Sequence, residues 1–303
     1  MNPLLPNTLP ALDNTIPIRD NTIPVHDSTI PVHDSTISIV LDRDGGTTNP
    51  SNHLCFIEQI TQDLEFMPAP PHIWKAVLPF QQENILPTLY HYLNTEEKQR
   101  VDKFHFDTDK IRFAFSRIGL KHILARYLNI APHQISFEYS RYGKPYIDGY
   151  PLHFNLSHSE NCVIYAIGLN GIVGIDVEYC KKSLDFLSLA KEFCSPTEFF
   201  KLTQISQVDL RQAFYRCWTR KEAFIKALGL GLYFPLPRIE VSFLADEMPE
   251  ILSINLSDIE NIEDLQESFS NECLQNNERL QNKDLKIQEI NFNPDYMASV
   301  VWS

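Results

Sequence analysis

The sequence lacks the features that would place it in a membrane or in a general nucleic-acid complex. No apolar run approaches the roughly 18–20 residues of a membrane-spanning helix, and no segment has the basic-then-apolar pattern of a signal peptide. Basic residues are outnumbered, with 26 Lys and Arg against 39 Asp and Glu, a net charge of −13. These absences predict a soluble cytoplasmic protein with neither membrane nor nucleic-acid partners.

Two kinds of motif are missing as well. The six cysteines include no C-x-x-C pair and have no histidines at zinc-binding spacing, so we interpret them as reduced thiols. No G-x-x-x-x-G-K-[ST] loop is present, which argues against a nucleoside-triphosphate enzyme.

A heptapeptide repeat, "DNTIPIR", "DNTIPVH", "DSTIPVH", "DSTISIV", runs from Asp13 to Val40. A proline in each of the first three copies excludes a coiled coil. The composition predicts a disordered leader over residues 1–66, dispensable to about residue 60, with Met67 as an alternative start.

A second polar segment, residues 246–284, carries eleven acidic residues against two basic ones. We predict a flexible acidic insertion, with a partner-binding arm as the less favoured interpretation.

The rest of the 303-residue chain, which is 43% apolar overall, has the pattern of a folded α+β protein. "HIWKAVL" and "YMASVVW" predict a first and a last strand, and Thr95 is the predicted N-cap of an early helix. Asn170-Gly171, between two β-rich runs, predicts a hairpin. A long helix is expected from about residue 209 to residue 228.

Three carboxylates in this folded part of the chain are candidates for a functional site. Asp176 and Glu178 lie two apart on a presumed strand, so both face the same side and call for a counter-charge such as Mg²⁺. A solvent-facing pair is the equally weighted alternative. Glu222 and Lys226 share a helix face with Trp218, either as a surface ion pair worth roughly 0.2–0.5 kcal/mol or as groups that hold a cation and an anion.

Four motifs occur in a fixed order along the chain, and two of them contain these carboxylates. "GIDVE" (174–178), followed about forty residues later by "WTRKEAFIKALGLGL" (218–232), resembles the signature of 4′-phosphopantetheinyl transferases. Upstream, "RYGKPY" and "FNLSHS" match the longer class of that family, which serves peptide and polyketide carrier proteins. The resemblance runs from about His72 to Ser303.

The resemblance implies an activity and a fold. Such enzymes transfer the 4′-phosphopantetheine group of coenzyme A to a serine of an apo acyl- or peptidyl-carrier protein and release adenosine 3′,5′-bisphosphate. They are monomers of two similar α+β halves in a pseudo-twofold arrangement, with the active site in the cleft between them. Here the halves would be residues 67–171 and 172–303, the second containing the acidic insertion.

The resemblance also assigns residues. Asp176, Glu178 and Glu222 resemble the ligands of Mg²⁺, for which Mn²⁺ could substitute. Glu222 is the first candidate for the general base, directly or through a metal-bound water, and Glu178 the second. The residues expected to bind coenzyme A are Lys144, Pro145, Ser157, His158, Arg112, Arg100 and Lys226. Lys221 is a further signature residue, Glu198 matches an acidic position, and Glu97 falls where the family has a lysine.

Two other classes of protein remain as alternatives. A Mg²⁺-dependent diphosphate hydrolase would use a similar carboxylate cluster, and a non-catalytic binding module for coenzyme A or a carrier protein would use the basic groups. The physiological carrier protein stays open.

Overall fold

The structure is a computed structural model that describes residues 36–41, 53–60, 70–82, 84–169, 171–255 and 285–303. Within these ranges there are six α-helices: α1 (Ile85–His91), α2 (Thr95–Asp102), α3 (Asp107–Leu128), α4 (Phe186–Phe193), α5 (Pro196–Gln204) and α6 (Gln207–Leu228). None of these helices combines the length and the apolar character needed to cross a membrane.

Twelve strands accompany the helices in the same ranges. They are β1 (Thr36–Leu41), β2 (His53–Ile60), β3 (His72–Val77), β4 (Glu138–Tyr139), β5 (Pro145–Tyr146), β6 (His153–Ser159), β7 (Cys162–Gly168), β8 (Val173–Tyr179), β9 (Ile239–Val241), β10 (Ile251–Ile254), β11 (Lys286–Glu289) and β12 (Tyr296–Trp302). The α+β class predicted from the sequence is confirmed.

The strands form two larger sheets. One has the order β1-β2-β3-β7-β6 and the other the order β11-β12-β8, and every pairing is antiparallel. The pairs β4-β5 and β9-β10 form two small additional sheets. Strand β7 is buried along its whole length, as expected of a strand bonded on both edges and covered on both faces.

The two longest helices are held in the same way. Each has 22 residues, and its fifteenth residue is a buried lysine: Lys121 in α3 and Lys221 in α6. Lys121 bonds to Glu97, and Lys221 bonds to Glu198. Both glutamates are the N3 residues of capping boxes at the start of the preceding short helix. We call these two ion pairs the lysine–glutamate locks.

The hairpin predicted at Asn170-Gly171 is wrong. Asn170 itself lies outside the described residues, but β7 bonds to β3 and β6, whereas β8 bonds to β12. The turn therefore connects two sheets, because both edges of β7 are already occupied by other strands.

The leader was predicted to extend to residue 66, yet β1 and β2 lie inside it. In "TISIVL" the alternate residues Ile37 and Ile39 are buried, and β2 pairs with β3. For these two stretches the prediction of disorder is wrong. The polar repeat ends in an amphipathic segment, which can form a strand by pairing with the edge of a neighbouring strand. The rest of the leader lies outside the described residues.

Two boundaries also differ from the sequence predictions. The N-cap of α2 is Asn94 and not Thr95, since the Asn94 side chain accepts from the backbone N–H of Glu97. The acidic insertion begins later than residue 246, because β10 pairs with β9 and Glu247 accepts from two backbone N–H groups. Residues 256–284 lie outside the described part of the chain.

Candidate active site

Strands β6 and β8, the edges of the two large sheets, meet through side chains. Asn155 Oδ1 accepts from Ile175 N at 2.9 Å, and Ser157 Oγ donates to Asp176 Oδ1 at 2.9 Å. Ser159 Oγ donates to Glu178 Oε2 at 2.8 Å. Alternate residues of β6 thus hydrogen-bond to β8 along the line where the two strands meet, which we call the seam. Because side chains alternate along a strand with a period of two, Asp176 and Glu178 lie on the same side of β8.

Helix α6 lies directly against this seam. A Cβ atom added to Gly174 would stand 2.1 Å from both Ala223 O and Ala227 N, so only a glycine allows this approach of backbone to backbone. Ser206 caps the start of α6, and Gly229, with φ 73°, ends it. This contact brings Glu222 and Lys226 to the two carboxylates of β8.

Lys226 bonds to a carboxylate of the strand rather than to its helix neighbour. Its Nζ lies 2.6 Å from Asp176 Oδ1 and 2.9 Å from Ser157 Oγ. Among the described residues Glu222 and Lys226 form no ion pair, so the surface-pair interpretation of their i, i+4 spacing is not what the structure shows.

Asp176 raises the proton affinity of the two neighbouring glutamates. Burial first, and then the charge of Asp176, raise the pKa of Glu178 and of Glu222 above the ordinary value. Both oxygens of Glu178 are held, one by Ser159 and the other by Trp218 Nε1 at 3.3 Å. Glu222 accepts no hydrogen bond within the described residues.

Asp176 offers a place for a hard divalent cation, although the ligand atoms of Asp176, Glu178 and Glu222 do not all lie within 4.8 Å of one another in the described residues. Asp176 is 3% exposed, yet its Oδ2 has no hydrogen-bond partner in the described ranges. A buried carboxylate oxygen without a donor is costly, and a cation that prefers oxygen ligands would remove that cost.

A basic cleft of about 300 Å³ contains several of the predicted coenzyme A residues. Arg100, Arg112, Pro145 and His158 all line it, together with Ser116 and Arg117. Arg112 Nη1 also bonds to Asp109 Oδ1 at 2.5 Å. Desolvation, followed by the positive charge of Arg112, lowers the pKa of His158. The charge of Lys226 adds to this effect. His158 follows Ser157, which donates to Asp176, so β6 carries the cleft lining to the carboxylates.

Lys144 is not part of the lining of the basic cleft. Its Nζ donates to Ala227 O at 2.7 Å and to Val173 O at 3.0 Å, and burial lowers its pKa to about 8. The side chain lines a separate cleft of about 250 Å³ and ties its loop to the end of α6. Lys144 therefore lies outside the basic cleft, and so do the predicted residues Ser157 and Lys226, which bond to Asp176.

A second buried cluster lies behind the helix. Ligand atoms of Cys194, Glu198 and Cys217 lie within 4.8 Å of one another. The charge of Glu198 is already matched by Lys221, and burial raises the pKa of the Cys217 thiol well above its ordinary value. A neutral thiol and a compensated carboxylate are poor metal ligands. The cluster belongs to the second lock.

Two family models and several known proteins are similar to this chain in sequence. Residues 172–263 match the family model "4'-phosphopantetheinyl transferase superfamily", and residues 79–168 match "4'-phosphopantetheinyl transferase, N-terminal". The 4'-phosphopantetheinyl transferase HetI of Nostoc sp. is 35% identical over 195 residues, which cover 60% of this chain and 81% of that protein. The chain belongs to the 4′-phosphopantetheinyl transferase superfamily.

Further relatives include the transferase Sfp of Bacillus subtilis, 32% identical over 179 residues (59% of this chain, 76% of Sfp). Another is the transferase gsp of Aneurinibacillus migulanus, 31% identical over 174 residues (57% and 68%). The family predicted from the sequence is confirmed, and with it the class of reaction.

Several residues at this candidate site were missed in the sequence. Asn155 and Ser159 flank the predicted Ser157 at a spacing of two, a signal that was present in "FNLSHS". Arg117 and Ser116 carried no local signal. Glu198 and Lys221, taken from the resemblance without a clear role, bond to each other in the interior.

Proposed function

We propose that this chain transfers the 4′-phosphopantetheine group of coenzyme A to a serine of an apo acyl- or peptidyl-carrier protein, leaving adenosine 3′,5′-bisphosphate. The observation that supports this proposal is that β6 joins the carboxylates to the basic cleft: His158 lines the cleft with Arg100 and Arg112, and its neighbour Ser157 donates to Asp176. A diphosphate needs both a cation-binding group and a basic lining, and the two are contiguous here.

Asp176, Glu178 and Glu222 would hold Mg²⁺, with Mn²⁺ as a substitute. When bound, the cation supplies positive charge to the diphosphate and lowers the barrier for attack at phosphorus.

Glu222 is the proposed acceptor for the proton of the carrier serine. Glu222 accepts no hydrogen bond within the described residues, so an oxygen is available to take the proton directly or through a water bound to the cation. Glu178 is the second choice because Ser159 and Trp218 already occupy both of its oxygens.

The basic side chains would bind the phosphate groups of coenzyme A. Lys226, with Ser157 beside it, holds the diphosphate, and His158, Arg112 and Arg100 bind phosphate oxygens along the cleft. Pro145 lines the same cleft, while Lys144 acts by fixing the loop that carries Pro145 to α6.

We also propose the division into halves at residues 171 and 172, supported by the separate sheets to which β7 and β8 belong. A monomer that works in the cytoplasm is part of the same proposal.

The test is incubation of the full chain with coenzyme A, Mg²⁺ and an apo-carrier protein, followed by mass spectrometry of the carrier. We expect the mass gain of phosphopantetheine, its loss in Glu222→Gln, and normal transfer in Glu192→Gln, which changes an exposed glutamate of α4. Cleavage of coenzyme A without modification of the carrier would favour a hydrolase. Binding without turnover would favour a binding module.

A further inference from the structure

The hydroxyl of Ser159 is held by strand β8 on both its donor side and its acceptor side. Ser159 Oγ donates to Glu178 Oε2 at 2.8 Å, and it accepts from Tyr179 N at 3.0 Å. A backbone N–H can only donate, so the hydroxyl proton of Ser159 is the one left for the carboxylate. The direction of the Ser159–Glu178 hydrogen bond is therefore fixed by the neighbouring backbone.

The position of Ser159 is fixed by the turn that follows it. Ser159 is the last residue of β6, and only Glu160 and Asn161 separate it from β7. Glu160 has φ 48°, in the left-handed region that residues other than glycine adopt only where their surroundings hold them there. Asn161 is anchored from two sides: its O accepts from Leu78 N at 2.7 Å, and its Oδ1 accepts from Tyr296 Oη at 2.6 Å. Contacts from the end of β3 and from β12 thus hold the turn, and with it Ser159, in one place.

Helix α6 supplies the second donor to the same carboxylate. Trp218 Nε1 donates to Glu178 Oε1 at 3.3 Å, and the indole packs edge to face on Phe193 with ring centroids 4.9 Å apart. One donor on each oxygen fixes the rotation of the carboxylate about its terminal bond. An ionised carboxylate has about four lone-pair sites, so each oxygen of Glu178 keeps a lone pair for a cation.

Ser159 itself lies outside the basic cleft. The preceding residue, His158, lines the cleft, whereas Ser159 does not. A change at Ser159 should therefore affect coenzyme A only through Glu178.

We propose that Ser159 is a positioning residue, which orients Glu178 as a ligand of the divalent cation and touches neither the cation nor coenzyme A. This inference rests on the proposed function, because it takes Glu178 to be a ligand of that cation. Hydrogen-bonding partners of metal ligands orient the ligand atoms, and their loss typically weakens metal binding about 10- to 100-fold.

The test is a Mn²⁺ titration of the full chain, followed by electron paramagnetic resonance. Ser159→Ala should weaken Mn²⁺ binding about 10-fold, and Ser159→Thr, which keeps the hydroxyl, should restore most of the affinity. Ser253→Ala is the matched control, because Ser253 is a half-buried serine of β10 that also donates to a glutamate, Glu240, at 3.2 Å. This control should leave the Mn²⁺ affinity unchanged.

Two further measurements separate positioning from a general loss of structure. In a Glu178→Ala background, Ser159→Ala should cause no further loss of Mn²⁺ affinity, because a residue that acts through Glu178 then has nothing to orient. Calorimetry without a divalent cation should give the same coenzyme A affinity for the wild type and for Ser159→Ala.

Unchanged Mn²⁺ affinity in Ser159→Ala, or an equal loss in Ser253→Ala, would overturn the proposal. A loss of the same size in Ser159→Thr, or an additive loss in the Glu178→Ala background, would also contradict it. Thermal denaturation shows whether Ser159→Ala folds. If it does not, Ser159→Cys decides, because a thiol is a weak donor: a several-fold loss of Mn²⁺ affinity supports the positioning role, and unchanged affinity contradicts it.

Failure of this inference is distinguishable from failure of the proposed function. Normal transfer by the wild type, with a Mn²⁺ affinity that does not respond to Ser159→Ala, would defeat this inference alone. Absence of both transfer and Mn²⁺ binding in the wild type would defeat the proposed function as well.

Discussion

Gly174→Ala should displace α6 from β8, the strand that carries Asp176. The added Cβ would lie 2.1 Å from Ala223 O and from Ala227 N, whereas ordinary contact begins at 3.4 Å. The helix backbone must therefore move by about 1.3 Å, the difference between these two distances. Overpacking of this kind costs about 1–3 kcal/mol of unfolding free energy, and a displacement of about 1 Å in a site can cost about 10²-fold in rate.

The assay has two readouts, the initial rate of carrier modification and the affinity for Mn²⁺ measured by electron paramagnetic resonance. We expect the rate to fall about 100-fold and the Mn²⁺ affinity to fall with it, because Glu222 moves away from Asp176. Gly119→Ala is the matched control: its Cβ would meet Tyr165 Oη at 2.4 Å, on a helix that carries none of the three carboxylates. This control should lower the melting temperature and leave Mn²⁺ affinity unchanged. Wild-type rate and melting temperature in Gly174→Ala would refute the argument.

Three further predictions concern the parts that support the site. Lys221→Met leaves the buried Glu198 without its ammonium partner and should lower the unfolding free energy in urea by about 3–5 kcal/mol; a change below 1 kcal/mol would mean that the pair is exposed in solution. Trp218→Phe keeps an aromatic ring but removes the donor to Glu178, so Mn²⁺ affinity should fall several-fold at an unchanged melting temperature, and unaltered affinity would contradict the hydrogen bond. A chain beginning at Met67 loses β1 and β2 and leaves an edge of β3 without its partner. It should aggregate in size-exclusion chromatography, whereas a soluble monomer of wild-type melting temperature would restore the prediction that the leader is dispensable.

The pairing of Asp176 with Glu178 could be predicted from a short-range rule, whereas the third carboxylate was predicted only through the family resemblance. A period of two places Asp176 and Glu178 on one side of a strand, and the signature motif links them to Glu222. The long helix was also predicted closely, since its apolar pattern and its terminal Gly229 are local signals.

Contacts between distant segments could not be predicted in this way. The partner of Lys226 is Asp176, fifty positions earlier, and nothing near Lys226 indicates it. Arg117 has no neighbour in sequence that indicates a role, and its hydrogen bond is to Tyr139, 22 residues later. The hairpin prediction failed for the same reason, since turn chemistry contains no information on which strands already occupy both edges of β7.

The two lysine–glutamate locks affect how active relatives of this chain should be recognised from their sequences. The first lock holds α3 in the same way as the second holds α6, yet the residue of α3 at the position equivalent to Glu222, the sixteenth of each helix, is His122. The lock therefore exists in this chain without a carboxylate beside it. A sequence pattern that requires Lys221 detects how a helix is packed and not whether the carboxylates are present. A relative that had lost its activity could therefore still match the pattern. Asp176 and Glu222 are the positions to inspect when active members are to be told from inactive ones.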